Sequence, residues 1–283
     1  MKPIPIVFHL GPLQIHTYGI GLAITFLFAA WYFARRLRSK GLPHEWVGDA
    51  AFWIILASIV GARVVHVVAN IGFYIDHPDE ILLVWHGGLS SFGGLLFAVP
   101  TGIYMMKRMA PEIGVARGLD VITPVLAAAW SLGRLLGPQL MIRGGGHRTD
   151  AWYGMAYAGQ TGDRVPVPIF QSILDFLTFL ILIWVDRRIA GRARGAIVSL
   201  GAGLWGLSRF FEEWFWLNRP GSWDAVEVMG LVLSAAGWIS LAVILRRRRR
   251  VGAAPGPAGD GLEAATVQPG AGALAGDDRN AAS

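Results

Sequence analysis

The sequence contains no cysteine. Disulfides, thiolate metal sites and a cysteine nucleophile are therefore excluded. Charge is scarce too: Asp, Glu, Lys and Arg make up 16% of the chain, against 54% hydrophobic residues. A soluble protein of 283 residues needs more polar side chains to cover its surface. With a mean hydropathy of +0.48, the expected solvent is lipid. The histidines, His9, His16, His44, His66, His77, His86 and His147, lack the spacing of a helical metal motif, so neither a metal nor a cofactor is expected. The N-terminus has no basic stretch leading into an apolar run and a small-residue cleavage site, which predicts direct insertion without a cleavable signal peptide. No internal repeat is strong enough to suggest an inverted-repeat transporter. The net charge of +6 and a pI near 10.0 could point to nucleic acid. The basic residues, however, sit in short clusters between apolar blocks, the pattern of cytoplasmic membrane loops, so no nucleic-acid partner is expected.

The apolar blocks run over about residues 15–34, 47–71, 88–106, 119–137, 168–185, 196–217 and 226–245, each near the ~20 residues that cross a bilayer core. Ahead of them, Pro3, Pro5 and Pro12 break any helix in an interfacial segment. Basic clusters follow the first, third, fifth and seventh blocks, at Arg35 to Lys40, Lys107 to Arg117, Arg187 to Arg194 and Arg246 to Arg250. The turns after the second and sixth blocks carry Asp76, Asp79, Glu80, Asp224 and Glu227. The sequence thus predicts an all-α polytopic membrane protein of about seven spans. The N-terminus lies outside, the C-terminus in the cytoplasm, and the long glycine-rich loop after the fourth block outside. Residues 1–250 form the membrane domain. Residues 251–283, rich in Gly, Ala, Pro and Asp, cannot bury a core and read as a disordered cytoplasmic tail.

Charged side chains inside apolar blocks are costly and call for a functional reading. Arg63 lies in the second block, Arg134 near the outer end of the fourth, and Arg209 in the sixth, three residues before Glu212 and four before Glu213. On a helix, Arg209 and Glu213 share a face. For Arg63, snorkelling or a structural ion pair is as good a reading as a functional one. Arg134 and Arg209 belong to blocks whose outer ends flank the glycine-rich loop, so they can converge on one anion. A guanidinium fork suits phosphate, and the phosphate at hand in a membrane is a phospholipid headgroup. Gly87-Gly88 and Gly93-Gly94 bracket a short polar segment, where small residues allow either close helix packing or a backbone bend at a ligand. His16, His86 and His147 lie near the predicted outer face.

Taken in order, these residues resemble the prolipoprotein diacylglyceryl transferase family from about Ile6 to Leu245. Gly11-Pro12-Leu13-Gln14-Ile15-His16-Thr17-Tyr18-Gly19 is similar to that family's G-P-(x)n-H-W-Y-G start. Gly61-Ala62-Arg63 resembles its G-G/A-R. The segment from Trp85 to Gly94 resembles W-x-G-G-M-S-F-H-G-G, Gly133-Arg134 resembles the G-R that opens the family signature, Thr149-Asp150 the P-T-D that can follow it, and Arg209 with Glu213 its R-F-x-x-E. No single piece is specific; their order and spacing is. The resemblance implies transfer of diacylglyceryl from phosphatidylglycerol to the lipobox cysteine of a prolipoprotein, at the outer face of the bacterial cytoplasmic membrane. Glycerol 1-phosphate leaves and a thioether forms. Partners would be membrane lipid, phosphatidylglycerol and prolipoproteins. Arg134 and Arg209 would hold the phosphate, with Glu213 orienting Arg209, and Tyr18, His16, Gly93, Gly94 and Arg63 would contribute to the substrate site.

The chain departs from the family pattern at several points. The family histidine of S-F-H-G-G falls on Phe92. The G-R-x-G-N stretch reads Gly133-Arg134-Leu135-Leu136-Gly137-Pro138-Gln139, and H-P-x-Q-L-Y-E falls on Val165-Pro166-Val167-Pro168-Ile169-Phe170-Gln171. A second arginine after Arg209 falls on Trp216. His86 and His147 are then the candidates for the base. The alternative is a non-catalytic or repurposed relative that binds phospholipid or a partner protein.

Overall fold

The computed structural model describes residues 7–10, 13–83, 88–189, 193–217, 223 and 225–252. The expected tail falls outside the described residues beyond Gly252, and Val251 and Gly252 still belong to the last helix. In place of an irregular N-terminal segment, strands β1 (Val7–Leu10) and β2 (Leu13–His16) form an antiparallel hairpin. The prolines end helices without preventing a strand. Seven long helices follow, with one short helix among them: α1 (Thr17–Ser39), α2 (Val47–Ala69), the six-residue α3 (Ile71–Asp76), α4 (Ser91–Met109), α5 (Val115–Leu136), α6 (Val167–Ile189), α7 (Ala196–Leu217) and α8 (Ala225–Gly252).

Five of these have the length and apolar composition to cross a bilayer, over Gly19–Ser39, Val47–Ala69, Val115–Leu140, Val167–Ile189 and Val226–Arg248. Their outer faces are apolar and open: Leu27, Phe52, Val68, Val232 and Ile239 are all exposed. In water such a surface would aggregate; in lipid it is solvated.

Helix pairing rests on small residues. In lipid no hydrophobic drive brings helices together, so backbone approach and polar contacts must do it. Along α7 and α8, a Cβ on Gly206 would meet the Ser234 backbone nitrogen and the Gly230 carbonyl, and one on Gly237 would overlap the Gly203 backbone. Ser234 Oγ donates to the Gly203 carbonyl at 3.0 Å, and Ser199 and Ser240 share a hydrogen bond of 2.9 Å. α2 and α4 meet through Gly61 and Gly93, each of which faces the other's carbonyl oxygen. α5 and α6 are joined where Ser131 Oγ donates to the Ser172 carbonyl at 2.8 Å. Gly21 of α1 lies against the Leu136 carbonyl, which brings the start of α1 beside the end of α5.

The two ends of the bundle differ in chemistry. At one end the basic clusters close α1, α4, α6 and α8. There the core is Phe33, Leu37, Trp46, Met106, Val121 and Val125. At the other end lie the hairpin and the glycine-rich loop, called here the loop end.

Candidate functional site

The segment from Gly137 to Pro166 has little regular structure, yet it is tied down by its own backbone. Gly146 N–H donates to Val165 O at 2.9 Å, Val165 N–H to His147 O at 3.1 Å, and Met155 and Arg164 exchange two bonds of 3.0 and 2.9 Å. His147 N–H reaches the Phe215 carbonyl in the last turn of α7 at 3.2 Å, using an acceptor that the helix end leaves free. The Gln160 amide grips Gly145 on both sides, accepting from its N–H and donating to its carbonyl, each at 2.9 Å. The three glycines are needed for space. A Cβ on Gly144 would overlap the Gln139 backbone, one on Gly145 would press on Arg164 and the Tyr157 ring, and one on Gly146 would overlap the Phe215 carbonyl.

Beneath this loop, the ends of α5, α6 and α7 hold a buried polar cluster. Glu212 is 2% exposed and accepts three bonds: from Arg209 Nη1 at 2.6 Å, Gln171 Nε2 at 2.8 Å and Ser208 Oγ at 2.5 Å. Arg209 Nη2 also lies 3.7 Å from Glu213, an ion pair without hydrogen-bond geometry. The expected Arg209–Glu213 pair therefore exists, but Glu212 is the closer partner, because only it also faces Gln171 on α6. One turn along α6, Asp175 is also 2% exposed and interacts electrostatically with Glu212, Arg134 and Arg209.

Arg134 differs from Arg209. Its guanidinium lies over the Trp130 ring at 5.5 Å, and Trp130 packs edge-on to Trp205 of α7, so its direction is set by aromatic packing. Among the described residues it makes no hydrogen bond or ion pair, and its Nε is buried. Three other buried side-chain atoms lack partners among the described residues: Tyr157 Oη, Arg164 Nε and Gln171 Oε1. All four belong to the loop end. Buried polar groups are ordinarily paired, so their concentration here marks a place prepared for a polar ligand or for water. Burial pushes the Tyr157 phenol up to about 12, which keeps it a neutral hydrogen-bond donor.

Arg134 and Arg209, from helices joined by no local sequence contact, are thus brought into one electrostatic cluster. His147 lies above it, part-exposed, with Nδ1 2.9 Å from the Arg148 carbonyl, which leaves Nε2 available. His16 immediately precedes α1 and is exposed. Tyr18 is in the first turn of α1, with its side chain outside the described part of the structure, as is Phe92. His86 lies outside the described residues. Arg63 is placed differently. It is 7% exposed, and it donates to the carbonyls of Ile81 and Gly88 at 2.9 Å each, and to that of Glu80, while stacking over Tyr74 at 5.3 Å. It organises the turn between α2 and α4. Gly93 and Gly94 sit in the α2–α4 contact, Gly94 against Ser58 Oγ, where the lack of a side chain admits the neighbouring helix.

Gln171, Asp175 and Ser208 were not singled out as site residues by sequence reasoning. A carboxylate within an apolar block, one turn from a glutamine, was the available signal for Asp175.

The chain matches the family described as prolipoprotein diacylglyceryl transferase over residues 5–247. It belongs to that family. Curated relatives named phosphatidylglycerol–prolipoprotein diacylglyceryl transferase include those of Geobacter sulfurreducens, 31% identical over 87% of this chain and 96% of that one, and Symbiobacterium thermophilum, 30% identical over 89% and 97%. That of Tolumonas auensis is 28% identical over 85% and 92%.

Proposed function

We propose that the protein transfers diacylglyceryl from phosphatidylglycerol to the lipobox cysteine of prolipoproteins. The observation that carries the reading, beside family membership, is Arg134: an arginine that makes no hydrogen bond or ion pair among the described residues, oriented by Trp130, in one cluster with Arg209 under an ordered loop. The phosphate would sit between these two guanidiniums. The substrate thiolate attacks the glyceryl carbon, the carbon–oxygen bond to phosphate breaks, and glycerol 1-phosphate leaves with its charge held by the arginines. Glu212, braced by Gln171 and Ser208, fixes Arg209. Glu213 adds a second carboxylate; Tyr18, in the first turn of α1, and His16, just before it, are the substrate-site candidates contributed by the start of the chain.

A thiol of pKa ~8.5 is only partly ionised at neutral pH, so a base accelerates attack, typically by 10²–10⁴-fold. With Phe92 at the family histidine's position, His147 Nε2 and His86 are the candidates. The test is transfer of labelled glyceryl lipid to a lipobox peptide in detergent micelles. Turnover is expected, with His86→Ala or His147→Ala lowering it more than lipid binding. Activity that survives the double substitution removes both as the base. Lipid binding without any turnover in the unsubstituted protein overturns the transferase reading in favour of a phospholipid-binding relative.

We also infer that α4 and α7 cross the membrane with the other five long helices, the loop end facing out and the C-terminus in the cytoplasm of a bacterial inner-membrane protein. The basic clusters all fall at one end of the bundle, which supports that orientation. Reporter fusions after Arg250 should be active in the cytoplasm and fusions between Gly144 and Asp163 outside. External activity at the C-terminal fusion would refute the orientation.

A further inference from the structure

At the basic end, the tail of α1, the first turns of α5 and α7 and the last turn of α6 border a half-open cavity of about 290 Å³. Its charged lining is Lys40, Arg117, Asp120, Asp186 and Arg194. Both acids are already engaged. Asp186 takes Arg36 Nη2 at 3.0 Å and Lys40 Nζ at 2.8 Å. Asp120 accepts the backbone N–H groups of Gly195 at 2.6 Å and Val198 at 2.9 Å, so it caps the start of α7. Arg117 and Arg194 remain. Among the described residues neither makes a hydrogen bond or an ion pair.

Two guanidiniums facing one small cavity repel each other and raise the local affinity for an anion. Their planar forks match phosphate oxygens. Basic pockets between helices at the membrane surface are suited to lipid headgroups. The cavity lies at the lower edge of the ~300–1,000 Å³ usual for small-molecule sites, room for a headgroup and not for acyl chains. Arg117 and Arg134 are both on α5, roughly 25 Å apart along its axis at ~1.5 Å per residue, so one headgroup cannot occupy both ends.

We propose that this cavity is a second anion site, binding a phosphate group through Arg117 and Arg194 with Lys40 beside them. The phosphate comes either from an anionic phospholipid of the adjacent leaflet or from a free phosphate ester. The site stands apart from the transfer reaction and does not depend on it.

The experiment is native mass spectrometry of the full chain in detergent, titrated with phosphatidylglycerol or phosphatidylcholine. An Arg134→Gln background weakens the loop-end site, and the cavity variants are compared within it, so every arm carries the same reduced loop-end contribution. This background should retain phosphatidylglycerol in preference to phosphatidylcholine. Adding Arg117→Gln and Arg194→Gln should abolish the preference, with affinity falling roughly tenfold or more per arginine. Inorganic phosphate that displaces the lipid, or binds in its absence, identifies a free phosphate ester as the source. Lipid retained against phosphate identifies the headgroup. Should the triple variant not fold, Arg194→Gln alone, at the exposed rim, is expected to weaken retention, whereas Arg108→Gln, exposed at the same end outside the cavity, is not. Equal retention with and without the two arginines, or no preference and no phosphate binding in the background protein, overturns the proposal.

Discussion

Arg134→Gln is expected to lower diacylglyceryl transfer by about 10²–10³-fold, the cost of removing one preorganised donor from a developing anion. Three features make the effect large. Among the described residues Arg134 makes no hydrogen bond or ion pair that its loss would break, and its buried Nε is unpartnered; only its longer-range attraction to Asp175 and Glu212 is lost inside the protein, so most of the deficit falls on the ligand. Its guanidinium is held over Trp130, so little ordering is left for the moment of reaction. It also lies at the C-terminal end of α5, where the helix dipole favours a cation and the hydrocarbon provides little screening. The measurement is turnover of labelled lipid onto a lipobox peptide, beside thermal unfolding of the same variant in detergent. Turnover should collapse while the unfolding midpoint stays close to that of the unsubstituted protein. A variant that unfolds earlier and transfers normally when folded would show Arg134 to be structural.

Glu212→Leu should act in the opposite sense, as a stability defect first. The carboxylate satisfies Arg209, Gln171 and Ser208 together. Taking away one partner of a buried pair leaves an uncompensated charge, typically 3–5 kcal/mol destabilising. The double variant Arg209→Met with Glu212→Leu should recover part of that loss, because the closest charge pair is removed whole while Glu213, 3.7 Å from Arg209, still loses a partner, yet it should not recover transfer if Arg209 holds phosphate. Thermal unfolding and turnover of the two single variants and the double make the cycle. If the double variant is no more stable than Glu212→Leu alone, the cost lies in packing and not in the stranded guanidinium.

These two expectations separate what was visible along the chain from what was not. That Arg134 and Arg209 were worth attention was legible, since an arginine in an apolar block stands out whatever the fold. That Arg134 would make no hydrogen bond or ion pair among the described residues while Arg209 would pair with Glu212 was not. The difference is made by Gln171 and Ser208 arriving at Glu212, and by Trp205 holding Trp130. Arg63, equally conspicuous in sequence, has its donors spent on the carbonyls of the turn between α2 and α4. Glycines at 93 and 94 carried two readings, and the neighbouring face of α2 shows the close helix packing that one of them describes.

The sequence by itself determined the helical class, the apolar blocks and the chemical asymmetry of the two ends. The block at 196–217 coincides with α7, and that at 47–71 ends within two residues of α2. Hydropathy and charge are additive along a chain, and a bilayer reads them segment by segment, so such features need no knowledge of neighbours. The tertiary structure alone decided which carboxylate Arg209 takes, that Asp175 joins the cluster, and that two arginines at the basic end line a cavity whose acids, Asp120 and Asp186, are hydrogen-bonded elsewhere. Each depends on the rotation and depth of helices distant in sequence, set by glycine contacts such as Gly21 on Leu136 and Gly206 on Ser234. Those contacts have no periodic signature, because a glycine that admits another backbone and one that merely tolerates its place are the same letter.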